Sequence, residues 1–79
     1  MLYAELKEIE KQVPDKIKVY ESNTNFVFVK TDDSTRIFEH LKLSGIIVRN
    51  MGGYLRITAG TDFENQQVVK EIKKFYKVG

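Results

Sequence analysis

The chain reads as a two-layer α+β domain in which helices cover one face of a small, mostly antiparallel sheet. Three observations predict this class. Apolar residues recur at helical spacing near the start, the middle and the end of the chain. Short β-branched and aromatic runs lie between them, giving the order α-β-β-α-β-β-α. There is no internal repeat and no low-complexity stretch. Elements in this order bury their apolar sides by stacking a helical layer on a sheet, and the sheet's other face stays partly open.

Each element has its own local reason. Leu2, Leu6, Ile9 and Val13 share one helical face, with Glu5, Lys7, Glu8, Glu10 and Lys11 between them, so a helix is expected over about 2–12. Pro14 stops it, because the residue before proline disfavours α conformation. Asp15-Lys16 makes a turn, and 17–20 alternates as a short strand. Ser22-Asn23-Thr24 is a polar break. Residues 25–30 (Asn-Phe-Val-Phe-Val-Lys) form a near-continuous β-branched and aromatic run, the composition of a strand buried on both faces and central in the sheet. On that reading Phe26 and Phe28 are core. Thr31-Asp32-Asp33-Ser34 is rich in N-cap residues, and a helix follows over 35–42 with Ile37, Phe38 and Leu41 inward. His40 near its end complements the helix dipole. Gly45 is placed as the C-terminal cap. Thr61-Asp62-Phe63-Glu64 has capping-box form and opens a last helix with Val68, Ile72 and Phe75 on one face. Lys70, Lys73, Lys74 and Lys77 make that helix's solvated side.

The segment 46–58 (Ile-Ile-Val-Arg-Asn-Met-Gly-Gly-Tyr-Leu-Arg-Ile-Thr) reads as one β-hairpin. A four-residue loop at 50–53 would pair Arg49 with Tyr54 and Ile47 with Arg56. Side chains alternate along strands, so Ile46, Val48, Leu55 and Ile57 fall on one face. Arg49, Tyr54, Arg56 and Thr58 fall on the other. Like charges close together on one face repel. A carboxylate or phosphate docking there relieves the repulsion, and guanidinium forks suit both groups. Read from the residues alone, the same arginines are equally consistent with a solvated sheet face. Gly52-Gly53 permits positive φ in the turn, and cradling a phosphate is the less economical reading.

Composition narrows the chemistry further. A chain of 79 residues is one domain, and at this size only about 60% of the unfolded surface is buried, so stability is marginal. There is no cysteine and one histidine, which excludes disulfides, thiolate metal sites, cysteine nucleophiles and histidine clusters. No run approaches a membrane span, and the start lacks the order of a signal peptide. A reducing, cytoplasmic setting is expected. Net charge is +2, with acids and bases interleaved, unlike the clustered basic signal usual in nucleic-acid domains.

The ordered set Ser22-x-x-Asn25-Phe26, Gly45-Ile46-x-Val48-Arg49, Leu55-Arg56-Ile57-Thr58-x-Gly60-Thr61, Glu64-Asn65 resembles the C-terminal small domain of histidinol-phosphate aminotransferase, a pyridoxal-phosphate enzyme of the aspartate-aminotransferase fold type. The resemblance covers residues 17–76. It implies that Arg56 binds a substrate carboxylate and that Arg49 binds the phosphate or distal acid group. Asn25, in the strand entering the site, is the third substrate-binding candidate. The implied substrates are histidinol phosphate and glutamate or 2-oxoglutarate, and the implied cofactor is pyridoxal phosphate. The lysine that anchors that cofactor, in a Ser-Lys motif, is not recognisable here. Ser22, Ser34 and Ser44 are followed by Asn23, Thr35 and Gly45. The chain therefore resembles roughly the last fifth of such an enzyme. Residues 1–79 are expected to be one small domain, inactive alone, whose partner is a large cofactor-binding domain. The alternative is an autonomous α+β module that binds anions or nucleic acid on its open face.

Overall fold

The computed structural model describes residues 2–21 and 25–79. The polar break read at Ser22-Asn23-Thr24 lies outside them. Helix α1 (Leu2–Gln12) buries Leu2, Leu6 and Ile9 along one stripe. It ends before Pro14, which sits in the following turn, where Lys16 N–H donates to the Val13 carbonyl at 2.9 Å. Strand β1 (Ile17–Glu21) follows and turns Ile17 and Val19 inward.

Strand β2 (Phe26–Thr31) pairs antiparallel with β1 on one side and with β4 (Tyr54–Thr58) on the other. A two-residue strand, β3 (Arg49–Asn50), pairs with β4, so the sheet order is β1-β2-β4-β3. Helices α2 (Ser34–Leu43) and α3 (Asp62–Tyr76) pack beside α1 on one side of this sheet. The core holds Val19, Val29, Leu55 and Ile57 from the sheet against Leu6, Ile9, Ile37, Leu41 and Ile72 from the helices.

β2 is interior, as its composition predicts, but it is not buried on both faces. Val27, Val29 and Thr31 are buried, whereas Phe26 and Phe28 are half-buried on the side without helices. A continuous apolar run carries no alternation to reveal this, because aromatic rings can be half-covered by sheet neighbours as well as by a core.

The ends of the elements are satisfied locally. Glu10 Oε2 accepts the outward Val19 N–H at 2.8 Å, so α1 shields the β1 edge, which would otherwise be open for pairing. Gly45, at φ +82°, closes α2 with both bonds of a Schellman motif, from Ile46 N–H to the Leu41 carbonyl and from Gly45 N–H to the Lys42 carbonyl. The capping box at α3 has both arms, Glu64 N–H to Thr61 Oγ1 at 3.2 Å and Thr61 N–H to Glu64 Oε1 at 2.9 Å. His40 does more than complement a dipole. Its Nε2 lies 3.2 Å from Glu71 Oε1 of α3, and its ring meets Phe75 edge-on at 5.8 Å. It thus joins α2 to α3.

Candidate anion site on the open sheet face

The site is built on the hairpin β3–β4. Its turn is two residues, Gly52 and Gly53, both at positive φ (66° and 97°). Met51 N–H donates to the Tyr54 carbonyl at 2.8 Å. Such primed turns match the twist of the flanking strands, and glycine adopts positive φ without steric cost. The four-residue loop expected from sequence is therefore replaced by a tighter turn, and the pairing moves by two positions. Arg49 lies directly opposite Arg56, and Asn50 opposite Leu55. A shift of two leaves every side chain on its own face.

Tertiary contacts hold this register. Asn50 Oδ1 accepts Gly52 N–H at 3.2 Å, and its Nδ2 donates to Thr35 Oγ1 at 3.2 Å. Gly53 N–H donates to the buried Ser34 Oγ at 3.0 Å, and the Gly53 carbonyl accepts Thr31 N–H at 3.0 Å. Both glycine N–H groups are thus used inside the fold, which supports the turn reading over a phosphate cradle. The hairpin tip sits against the start of α2.

Strand pairing then aligns one row across all four strands: Tyr20, Phe28, Arg56 and Arg49. Lys18, Lys30 and Tyr54 form the adjacent row. Phe26 stands diagonal to Arg56, and the Arg56 guanidinium carbon lies 4.7 Å from its ring centroid, well within cation–π reach. Arg56 Nε is buried and has no hydrogen-bond partner among the described residues. Arg49 is exposed. Both arginines line a shallow hollow of about 470 Å³ at the β3 edge, with Ile47, Asn50 and Thr58.

Two of the three candidates are thereby brought together. Asn25 is not in their row. It immediately precedes β2, its side chain is exposed, and its carbonyl accepts Ala59 N–H at 2.8 Å. Sequence reasoning missed Tyr20, Phe26 and Phe28 as neighbours of the arginines. Only the strand register separates the two phenylalanines from Val27 and Val29, because all four residues of that run are apolar.

Two permanent cations at directly opposed positions suit a carboxylate or phosphate. The two rows contain no carboxylate to pair with a pyridine nitrogen. Among the described residues there is no cluster that could hold a metal ion, and no helix is long and apolar enough to cross a membrane.

No family model matches the chain. The fold occurs within an aminotransferase-like protein: a putative aminotransferase from Burkholderia pseudomallei superposes at a TM-score of 0.69 and 20% identity, over 94% of this chain and 25% of that one. The curated relatives are more specific. Histidinol-phosphate aminotransferase of Chlorobium limicola is 36% identical over 78 residues, 91% of this chain and 21% of the relative. That of Buchnera aphidicola subsp. Diuraphis noxia is 40% identical over 73 residues, 85% of this chain and 20% of the relative. The chain's homologues are thus histidinol-phosphate aminotransferases, and it spans about one fifth of their length.

Proposed function

We propose that residues 1–79 form the C-terminal small domain of a pyridoxal-phosphate-dependent, cytoplasmic histidinol-phosphate aminotransferase, and that Arg56 and Arg49 bind its substrates. The observation that carries this reading is the direct opposition of Arg49 and Arg56 on an open sheet face in a chain whose relatives bear that enzyme's name.

The substrates implied by those names are anions. Histidinol phosphate brings a phosphate, and glutamate or 2-oxoglutarate brings two carboxylates. Arg56 takes a carboxylate, Arg49 takes the phosphate or distal acid, and Asn25 contributes from the sheet end. When bound in a large partner domain, the cofactor would supply an electron sink for the substrate carbon bonded to nitrogen. This chain's part is orientation: guanidinium forks on a paired strand fix the substrate relative to whatever reacts with it.

The test is an amide-resolved NMR titration of the 79-residue chain with histidinol phosphate, with inorganic phosphate as control. Saturable shifts centred on Arg49, Tyr54 and Arg56 are expected. A well-dispersed spectrum in which these amides do not respond would overturn the assignment of the two arginines.

A second reading has its own support. Tyr20, Phe26, Phe28 and Tyr54 lie among Lys18, Lys30, Arg49 and Arg56 on the open face, and rings beside cations suit stacked single-stranded nucleic acid. Oligonucleotide binding that is tighter than histidinol-phosphate binding and falls steeply with salt would select it.

A further inference from the structure

We infer that Phe26 is a positioning residue: its ring holds the Arg56 guanidinium in one orientation on the open face, on the β2 side of β4, before an anion arrives. The inference rests on the anion-site reading of the two arginines and goes one residue beyond it.

Arg56 stands opposite a like charge, and direct cross-strand repulsion favours rotamers that swing the two guanidinium groups apart. The Phe26 ring, 4.7 Å from the guanidinium carbon, lies on β2, across β4 from Arg49, so its attraction acts in the same direction as that repulsion and holds the group by its face, not by its N–H edge. β2 and β4 fix the geometry. Phe26 pairs with Thr58, one alternation beyond Arg56 on the same face, so the ring reaches Arg56 diagonally. Phe28 stands directly opposite Arg56 on the same face. A long side chain held in one orientation before binding loses less freedom when the anion arrives.

The experiment reads both the placement and its consequence in the 79-residue chain. The Arg56 Hε resonance is recorded in wild type, Phe26→Tyr and Phe26→Leu, and each is titrated with histidinol phosphate. A ring-shifted Hε is expected in wild type and Phe26→Tyr, with return toward the random-coil position in Phe26→Leu. Binding by Phe26→Leu should be weaker by about three- to fivefold, the factor a modest cation–π contact is worth, while Phe26→Tyr stays close to wild type. If wild type binds and Phe26→Leu binds equally well, the role of Phe26 is overturned and the arginine site stands. If wild type does not bind at all, both fall. Should Phe26→Leu fail to fold, the wild-type Hε decides: a random-coil position overturns the inference, and a ring shift retained in Phe26→Tyr supports it.

Discussion

Replacing Arg56 with Leu tests whether this arginine serves binding or folding. Three terms compete in the free chain. The substitution removes the contact with Phe26, worth about 0.5–1 kcal/mol when exposed and about 2 when desolvated. It also removes the like charge opposite Arg49, relieving about 0.2–1 kcal/mol. Finally it removes a buried Nε that lacks a partner among the described residues, a penalty of about 1–3 kcal/mol. Leucine still covers the neighbouring rings as the arginine stem does. The loss and the relief nearly cancel, so the net change should lie within about 1 kcal/mol of zero or be stabilising, against about 1 kcal/mol lost by a typical substitution. Leu55→Ala, one residue earlier and fully buried, sets the scale with a loss of about 2–5 kcal/mol. Urea unfolding of both variants, followed by circular dichroism, gives the comparison. Destabilisation by Arg56→Leu of more than about 1.5 kcal/mol at unchanged slope would show Arg56 to be a structural residue and refute the reasoning.

Two further outcomes follow from particular contacts. Tyr76 Oη donates to Asp33 Oδ2 at 3.2 Å and lies 3.2 Å from Thr31 Oγ1. Burial is the main cause that pushes the Tyr76 pKa up to about 12. Since the folded value is raised, this contribution is complete below about pH 10, the ordinary tyrosine value, and is lost as pH climbs through the folded one. Ultraviolet titration should show one of the four tyrosines ionising near 12 together with loss of structure, and Tyr76→Phe should abolish that step; its persistence would assign it elsewhere. The cost of left-handed backbone should appear with opposite signs at two sites, since it is about 1 kcal/mol for residues other than glycine. Gly53→Ala (φ +97°) should destabilise and Lys77→Gly (φ +57°) should stabilise, each moving the melting temperature by about 4–8 °C; equal signs would contradict the turn and cap geometry.

Features decided within a few residues were legible in the sequence. The Thr61–Glu64 box and the Gly45 cap need only backbone groups one turn away, and both form as expected. The α-β-β-α-β-β-α order was legible for the same reason, because each period is local. The hairpin register was not. It is held by Gly53 on Ser34 and by Asn50 on Thr35, contacts that exist only once α2 has packed beside the sheet. The open-face position of Phe26 and Phe28 was hidden because both faces of β2 present apolar residues to a reader of the chain.

The arginine pair survived that error for a physical reason. Tightening the loop from four residues to two changes the register by an even number, and the side-chain period of a strand is two. Which residues share a face is therefore protected against such slips, while which residues touch is not. The face assignment of Arg49 and Arg56 is the same for a loop of four residues or of two, and their direct opposition is not. The same distinction governs what to expect when the turn between the two arginines changes. Residues inserted in the turn can be taken up by a longer loop that keeps Arg49 opposite Arg56, whereas a slip of two along β4 would keep both guanidinium groups on the open face but set Arg56 opposite Ile47. A slip of one would send one arginine toward the core, where its charge would have no counterion. Changes that force an odd slip of β4 against β3 should thus be the damaging ones, and their effect should appear first in stability and only then in binding.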